Sequence, residues 1–202
     1  MTTSAICPRC GLTDESLHHL LRECSTSKNI WTEIKNITWW EDGCKLKLNV
    51  DGCSKGDPGQ AGYGGLLRDD TGIWIWGFYG KLGHCSSLEA ELWAIYRGLT
   101  ILFQKGTKGV EIESDSELAI DQIQNGPNTN SPYKALIEDA RFLLKRCDCL
   151  LRHTLREGNQ CADKLASLGV EQGEHVVLLE DPPEEVKNLV IADMTGVSVL
   201  RD

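Results

Sequence analysis

The stretch LNVDGCSKGDPGQAGYGG, residues 48–65, begins as a β-strand and then becomes rich in glycine. Leu48 and Val50 alternate with Asn49 and Asp51, which is the two-residue period of a strand with one apolar face. We expect the strand to end at Asp51. A glycine-rich loop would follow, in which the backbone turns tightly and comes close to a bound ligand. The alternative is an ordinary hairpin turn beside an exposed aspartate.

The segments around this stretch predict a mixed α/β fold. Three strands with short connections suggest an antiparallel meander, after which apolar stripes at helical spacing alternate with short β-runs. The predicted strands are residues 45–51, 63–70, 72–80, 110–114 and 149–155, and the predicted helices are residues 86–106, 115–126, 131–147 and 159–169. The order β-β-β-α-β-α-α-β-α implies a mixed sheet that is flanked by helices.

Capping residues predict where several of these helices begin and end. One of the serines at 86–87 can cap the first helix, and Gly106 can end it. Ser131 is the predicted cap of the third helix, with Pro132 as its first residue. Gly169 is the predicted end of the last helix.

Length and composition are those of a soluble globular protein. A chain of 202 residues, 41% of them hydrophobic, can bury one core and carry a small accessory module. No apolar stretch has the length needed to span a bilayer, and the N-terminus lacks the pattern of a secretory signal. We therefore expect an intracellular, reducing location, no membrane partner and a monomeric protein.

The nine cysteines and the net charge of −9 are the unusual features of the composition. An odd cysteine count in a reducing location argues against a disulfide framework. The six cysteines outside the N-terminal cluster are therefore predicted to be small apolar fillers. Residues 171–202 hold eight acids and two bases, so this segment carries −6 of the net charge. Composition neither supports nor excludes a polyanionic partner.

Four acids lie at the ends of predicted elements or at the margin of the core. Asp51 and Asp115 end strands, Glu91 borders the apolar stripe of its helix, and Asp163 lies in the last helix. A buried carboxylate needs a cation or a strong hydrogen-bonding partner. Each acid taken alone could be a partly solvated side chain or a helix cap, but four such positions together point to a site.

Four sequence blocks resemble those of the ribonuclease H family, in the family's order. The blocks are NVDGCSKGDPGQAGYGGLLRDD (49–70), EAELWAIYRGL (89–99), IESDSELA (112–119) and RHTLREGNQCADKLAS (152–167). They most resemble the plant branch that is associated with non-LTR retrotransposons. The resemblance implies a ribonuclease H-like fold, with a five-stranded mixed sheet flanked by helices and its first three strands antiparallel.

The resemblance also implies an active site of four carboxylates and one histidine. Asp51 matches the family's first-strand aspartate, and Glu91 matches the glutamate of its first helix. Asp115 matches the aspartate that ends the fourth strand, and Asp163 matches the aspartate of the last helix. His153, ten residues before Asp163, matches the family's mobile histidine. The expected activity is endonucleolytic cleavage of the RNA strand in RNA–DNA hybrids.

The expected chemistry uses two Mg²⁺ ions, for which Mn²⁺ is an expected substitute. Phosphodiester cleavage needs an activated water, a stabilised phosphate and a neutralised leaving oxygen, and a pair of metal ions can supply all three. Carboxylates are suitable ligands for such hard cations. Asp51 could bridge both ions, with Glu91 and Asp115 on one ion and Asp163 on the other. His153 would assist proton transfer or product release.

Substrate contacts follow less directly from the resemblance. Many family members have asparagine where this chain has Asp57, and the long basic protrusion of some members is not evident. Because phosphate contacts dominate nucleic-acid affinity, these departures predict weak binding of the hybrid. The predicted substrate contacts are Gly52, Ser54, Asp57, Ser116, Arg156 and Asn159.

A zinc site is predicted in residues 7–24, CPRCGLTDESLHHLLREC. Cys7, Cys10 and Cys24, together with either His18 or His19, suit a tetrahedral Zn²⁺ held by three thiolates and one imidazole. The segment resembles the zinc-binding module that follows the reverse transcriptase region in plant LINE-like elements, and that match selects His19. The alternative is a group of reduced cysteines without a metal.

The predicted organisation has four parts. They are a zinc-binding segment at 1–30, a linker at 31–44, a ribonuclease H-like domain at 45–170 and an acidic tail at 171–202. In the tail, Val186, Leu189, Val190 and Ile191 could form an amphipathic helix that either docks on the body or binds a partner. Two alternatives to the enzyme are a nucleic-acid-binding module with weak or no turnover and a protein-interaction adaptor. The retroelement resemblance favours the nucleus.

Overall fold

The computed structural model describes residues 6–7, 10–11, 24–25 and 45–195. The chain divides into two compact units, residues 1–44 and 45–202. The predicted linker at 31–44, both candidate zinc-binding histidines and the last residues of the predicted tail lie outside the described residues.

Six strands form one mixed sheet within residues 45–195, with the strand order β5-β4-β1-β2-β3-β6. The first three strands are antiparallel, while β4 pairs in parallel with β1 and β5 pairs in parallel with β4. The strands are β1 (Lys47–Gly56), β2 (Gly59–Arg68), β3 (Trp74–Cys85), β4 (Glu111–Ser114), β5 (Leu150–His153) and β6 (Val177–Leu179). The predicted mixed α/β fold is confirmed, but the number of five strands is wrong. β6 is only three residues long, too short to show an alternating pattern, and it pairs antiparallel with the edge of β3.

The glycine-rich stretch is a long hairpin, and the predicted strand end at Asp51 is wrong. β1 and β2 pair without interruption from Lys47 opposite Arg68 to Gly56 opposite Gly59. Asp51 therefore lies in the middle of a strand. A glycine run predicts a loop because glycine has low β-propensity. Here the missing side chains instead let two helices come close to the sheet.

Five α-helices are described between residues 45 and 195. They are α1 (Ser87–Lys105), α2 (Glu117–Asn125), α3 (Lys134–Arg146), α4 (Gln160–Glu171) and α5 (Glu184–Thr195), and a short 3-10 helix at Arg156–Gly158 precedes α4. The Ser86 hydroxyl caps α1 by accepting from the Glu89 N–H, and Gly106 ends α1 in the left-handed conformation. Both ends of α1 confirm the prediction from capping residues.

Two predicted helix boundaries are wrong. α3 begins at Lys134, because Ser131 and Pro132 form a turn in which the Ser131 hydroxyl accepts from the Tyr133 N–H. α4 continues past Gly169 to Glu171. A Cβ at Gly169 would lie 2.6 Å from the Gly80 carbonyl oxygen, so this glycine allows α4 to contact the sheet rather than ending the helix.

The helices α1 and α4 cover opposite faces of the central strands. Gly98 of α1 packs against the side chains of Leu48 and Val50. Asp51 points to the other face with its cross-strand neighbour Gly64, where an added Cβ would lie 2.4 Å from the backbone nitrogen of Ala166 in α4. Successive strand residues point to opposite faces. Consequently, the apolar side of β1 faces α1, and its polar side faces α4.

The C-terminal segment through residue 195 docks on the same unit. Val186 and Val190 of α5 are buried against Leu66 of β2 and Leu165 of α4. Of the two alternatives for a helix in this region, the structure shows docking, although Ile191 is 58% exposed. In the part of the chain that the structure describes, helices fall short of the length and apolar character needed to span a membrane.

Candidate active site

Three carboxylates from three different elements meet at one place. Asp51 comes from the middle of β1, Glu91 from the second turn of α1, and Asp115 from the residue that follows β4. One oxygen of each group lies within 4.8 Å of the others. We refer to these three residues as the carboxylate cluster. Its residues are 40 and 24 positions apart in the sequence, so the fold alone brings them together.

Gly52 explains how Glu91 reaches Asp51. A Cβ at Gly52 would lie 2.2 Å from the backbone carbonyl carbon of Ala90, so only glycine lets α1 approach β1 this closely. The Gly52 N–H then donates to the Glu91 carboxylate at 3.2 Å. The glycine after the aspartate therefore brings α1 against β1 and orients a second carboxylate.

Burial and mutual repulsion act on the cluster in the same direction. Asp51 is 5% exposed, and the Asp115 side chain is 14% exposed. Burial raises the pKa of Asp51, and the nearby negative charges, Glu91 first, raise it further. Burial and Asp115 also raise the pKa of Glu91, against the opposing effect of the Gly52 N–H. The cluster is thus costly to ionise unless a cation joins it.

The donor set matches a hard divalent cation. Mg²⁺ takes oxygen ligands and is usually bound through one or two carboxylates plus water and substrate phosphates. Here three carboxylate groups each offer an oxygen at close range. The raised pKa values of Asp51 and Glu91 are expected for acids that are arranged to bind a cation. The residues therefore fit a Mg²⁺ site.

Asp163 and His153 lie at the border of the cluster. Asp163 is exposed on the first turn of α4, outside the 4.8 Å group, but its charge contributes to the raised pKa of Asp51 and of Glu91. His153 is the exposed last residue of β5, and its Nδ1 lies 3.9 Å from a carboxylate oxygen of Glu117. Both side chains are exposed to solvent.

Arg156 lies over the cluster from the solvent side. Its Nε atom is 3.5 Å from a carboxylate oxygen of Asp115, while its side chain is 80% exposed. Among the predicted substrate contacts, Arg156 therefore combines a positive charge with access to solvent. Exposed arginines of this kind suit contacts to phosphate.

The other predicted substrate contacts are engaged within the protein. The Ser54 hydroxyl lies within hydrogen-bonding distance of the carbonyl oxygens of Gly56 and Cys85, at 2.6 and 2.9 Å. The Asp57 carboxylate accepts from the Ser87 N–H at 3.0 Å, where a negative charge stabilises the start of α1. Ser116 caps α2 by accepting from the Ala119 N–H. Their side chains are thus used first for local structure.

Asn159 is also a predicted substrate contact, but it lies beneath the cluster. It is 1% exposed, and its amide nitrogen donates to the Val50 carbonyl oxygen at 3.0 Å and to Asp51 Oδ1 at 3.4 Å. Its amide oxygen accepts from Asn49 Nδ2 at 3.3 Å. Asn49 was not among the predicted site residues. The available signal was its position two residues before Asp51, which places both polar side chains on the same face of an otherwise apolar strand.

The first unit contains a second candidate metal centre. Sulfur atoms of Cys7, Cys10 and Cys24 lie within 4.8 Å of one another, and the Cys7 and Cys24 sulfurs are 3.9 Å apart. Tetrahedral zinc with bonds of about 2.3 Å places its sulfur ligands about 3.8 Å from each other. The predicted fourth ligand, His19, lies outside the described residues.

The carboxylate cluster and the sheet around it define the class of protein. The family described as reverse transcriptase-like matches residues 49–169, which is the part of the chain that carries the cluster. The chain belongs to this family.

Relatives and solved structures indicate the fold more specifically. The chain is 34% identical over 167 residues to the Arabidopsis thaliana protein named "Putative ribonuclease H protein", of which it spans 27%. The crystal structure of ribonuclease H1 from Halobacterium salinarum superposes with a TM-score of 0.59 at 27% identity, over 64% of this chain and 99% of that one. LC11-RNase H1, solved in complex with an RNA/DNA hybrid, gives a TM-score of 0.58 at 26% identity, over 63% of this chain and 97% of that one. The chain has the ribonuclease H fold.

Proposed function

We propose that the protein hydrolyses the RNA strand of RNA–DNA hybrids in a reaction that depends on divalent metal ions. The observation that carries this proposal is the convergence of Asp51, Glu91 and Asp115 within 4.8 Å on three different elements. The ribonuclease H fold supports it, as does the hybrid bound in the LC11-RNase H1 structure.

The carboxylate cluster would hold Mg²⁺, with Asp163 adding negative charge from α4. Bound Mg²⁺ supplies an activated water and stabilises negative charge on the phosphate. Within the protein, the Gly52 N–H orients Glu91, and the Asn159 amide orients Asp51. Preorganised ligands of this kind reduce the rearrangement that metal binding requires.

His153 and Arg156 would act on the substrate directly. Because Nδ1 of His153 faces Glu117, Nε2 is the ring atom that would accept a proton or release it to the product. Arg156 would exchange its contact with Asp115 for a phosphate of the hybrid, since its side chain is exposed. The 2′-hydroxyl distinguishes RNA from DNA and would determine which strand is cut.

The resemblance to plant retroelements extends this proposal to the origin of the chain. The 34% identity to an Arabidopsis thaliana protein is consistent with a plant source. We propose a ribonuclease H domain of the non-LTR retrotransposon type, acting in the nucleus.

The direct test is cleavage of a labelled RNA–DNA hybrid in the presence of Mg²⁺. We expect the wild-type protein to cut the RNA strand, and Asp51→Asn or Asp115→Asn to slow cutting by about 10³-fold, which corresponds to about 4 kcal/mol of transition-state stabilisation. The matched control is Asp139→Asn, an exposed aspartate on α3 outside the cluster. No cutting by folded wild-type protein, at low salt and with Mn²⁺ as well as Mg²⁺, would refute the proposal.

A nucleic-acid-binding module without turnover is the second candidate. The Asp57 side chain supplies no donor for the RNA strand, and the long basic protrusion of some family members is not evident in the sequence. Hybrid binding measured on the same samples separates the two functions. Binding without cutting by the wild-type protein would support the module.

We also propose that Cys7, Cys10, His19 and Cys24 bind one structural Zn²⁺. Three thiolates and an imidazole form a closed tetrahedral set that leaves no position for substrate. The test is elemental analysis of purified protein, with one zinc per chain expected in the wild type and zinc lost in Cys10→Ser. Cys53→Ser is the matched control, since Cys53 lies in β1. Equal zinc contents in all three proteins would contradict this assignment.

A further inference from the structure

A continuous series of polar side chains connects the C-terminal helix to the carboxylate cluster. Arg68 Nη1 lies 3.1 Å from a carboxylate oxygen of Asp193 in α5, and Arg68 Nε donates to Asn49 Oδ1 at 2.9 Å. Asn49 Nδ2 donates to Asn159 Oδ1, and Asn159 Nδ2 donates to Asp51 Oδ1. We call these five residues the amide relay.

The relay has a defined direction because arginine can only donate hydrogen bonds. Arg68 therefore fixes the amide oxygen of Asn49 toward itself, which turns the amide nitrogen of Asn49 toward Asn159. Asn159 in turn presents its oxygen to Asn49 and its nitrogen to Asp51. Each amide could rotate by 180° without a change of shape. The Val50 carbonyl oxygen, which accepts from Asn159 Nδ2 at 3.0 Å, favours the same orientation of Asn159. The guanidinium of Arg68 therefore acts together with this carbonyl in determining which atom faces the cluster.

Two further observations support a fixed orientation. Asn49 and Asn159 are each 1% exposed, so water cannot readily replace their hydrogen-bonding partners. Asn49 Nδ2 also donates to Glu113 Oε2 at 3.0 Å, which reinforces the same orientation of this amide. A flipped Asn49 would direct its oxygen at a carboxylate and its nitrogen at a guanidinium.

We propose that Arg68 is a positioning residue for the metal-binding carboxylate Asp51, acting through Asn49 and Asn159, and that α5 contributes by holding Arg68 with Asp193. This proposal rests on the metal site of the proposed function. It gives the docked C-terminal segment a role in the site, although α5 itself does not belong to the carboxylate cluster.

The test is the dissociation constant for Mn²⁺, measured on the full chain without substrate from the paramagnetic resonance signal of free Mn²⁺. Arg68→Met keeps an unbranched side chain, although a shorter one, and removes every donor. We expect Mn²⁺ to bind about 10-fold more weakly to this variant, the lower end of the effect seen when a partner of a metal ligand is lost. Arg68→Lys restores the positive charge and a donor group, without the guanidinium geometry, and is expected to recover part of the affinity.

Lys47→Met is the matched control for charge. Lys47 pairs with Glu113 at 2.7 Å, as Arg68 does at 3.7 Å, so both methionine variants remove one positive charge near the same carboxylate. Loss of a nearby positive charge strengthens cation binding through space. Weaker binding in Arg68→Met, with equal or stronger binding in Lys47→Met, therefore cannot arise from charge alone.

A second readout does not involve the metal. In metal-free protein, hydrogen exchange of the Asn159 side-chain amide should be about 10-fold faster in Arg68→Met than in Lys47→Met. Asp193→Asn, at the less buried end of the relay, replaces Arg68→Met if that variant does not fold. Its readout is the exchange rate of the Asn159 side-chain amide, expected to be faster than in wild type, because loss of a negative charge would by itself weaken Mn²⁺ binding.

The outcomes separate this proposal from the proposed function. Equal Mn²⁺ affinities of the Arg68→Met and Lys47→Met proteins would overturn the positioning role and leave the metal site intact. A wild-type protein that binds no Mn²⁺ would overturn both. A loss confined to Arg68→Met, together with partial recovery in Arg68→Lys, is the expected result.

Discussion

Two groups of buried or half-buried acids differ in whether basic side chains neutralise them. Glu113 in β4 and Asp193 in α5 are paired with Lys47 and Arg68. Asp115 of the carboxylate cluster lies only two residues after Glu113 in the sequence. Among the described residues, the cation that approaches it is the guanidinium of Arg156, which is 80% exposed.

The difference indicates what each group does. Paired acids connect elements of the fold, because removing one partner leaves an uncompensated charge in the interior. Acids that repel one another, such as Asp51 and Glu91 with their raised pKa values, weaken the fold and are kept where they have another use. The same substitution, a carboxylate to its amide, should therefore change stability in opposite directions in the two groups.

The largest effect is expected at Glu113. Glu113→Gln should lower the free energy of unfolding by about 2–3 kcal/mol, because Lys47 and Arg68 lose a partner that is 8% exposed. The measurement is urea unfolding in buffer without Mg²⁺. Glu171→Gln is the control, since its pair with Lys55 is exposed on both sides and should contribute little. Equal stability of the Glu113→Gln and wild-type proteins would remove the distinction between the two groups.

A smaller effect of the opposite sign is expected at Asp51. Asp51→Asn should raise the free energy of unfolding of the Mg²⁺-free protein by about 1–2 kcal/mol at pH 8. The neutral amide relieves the repulsion by Glu91 and Asp115 and can donate to their carboxylates. A lower stability at pH 8 would show that the Asp51 carboxylate is already compensated in the metal-free protein.

The gain from Asp51→Asn should depend on pH in a defined way. The pKa of Asp51 is raised in the folded protein, so the folded state holds this proton more tightly than the unfolded state does. The stability that comes from this proton is complete below the unfolded pKa of about 4 and is lost as the pH rises toward the folded pKa. The difference between variant and wild type should therefore be small near pH 4 and grow toward pH 8.

The sequence predicted the carboxylate cluster because its residues belong to local patterns. Asp51, Glu91 and Asp115 each lie in a short block whose order along the chain is visible without a structure. The relay was not predictable in the same way. Its members Arg68, Asn49 and Asp193 come from β2, β1 and α5. Their contacts depend on the register in which β1 pairs with β2 and on the docking of α5, neither of which is visible in a local pattern.

The glycines show why part of the fold was predicted wrongly. A run of glycines with one proline has the composition of a loop, yet β1 continues through it for five residues after Asp51. Backbone hydrogen bonds to β2 compensate for low β-propensity, and packing against α1 at Gly52 requires the absence of a side chain. Packing requirements of this kind depend on an element that lies 35 residues or more further along the chain.

The smallest expected change in stability is the one caused by Mg²⁺, and it is the most selective for the carboxylate cluster. At ten times its dissociation constant, Mg²⁺ should stabilise the wild-type protein by about 1.4 kcal/mol and raise Tm by about 3–5 °C. The shift should disappear in Asp51→Asn, because the cation no longer relieves repulsion there, and should persist in Asp139→Asn. NaCl at equal ionic strength is the control for screening, which acts on the exposed pairs of the fold as well. A Tm shift of equal size in Asp51→Asn would place the bound cation elsewhere and would leave the buried repulsion in the cluster without a ligand to explain it.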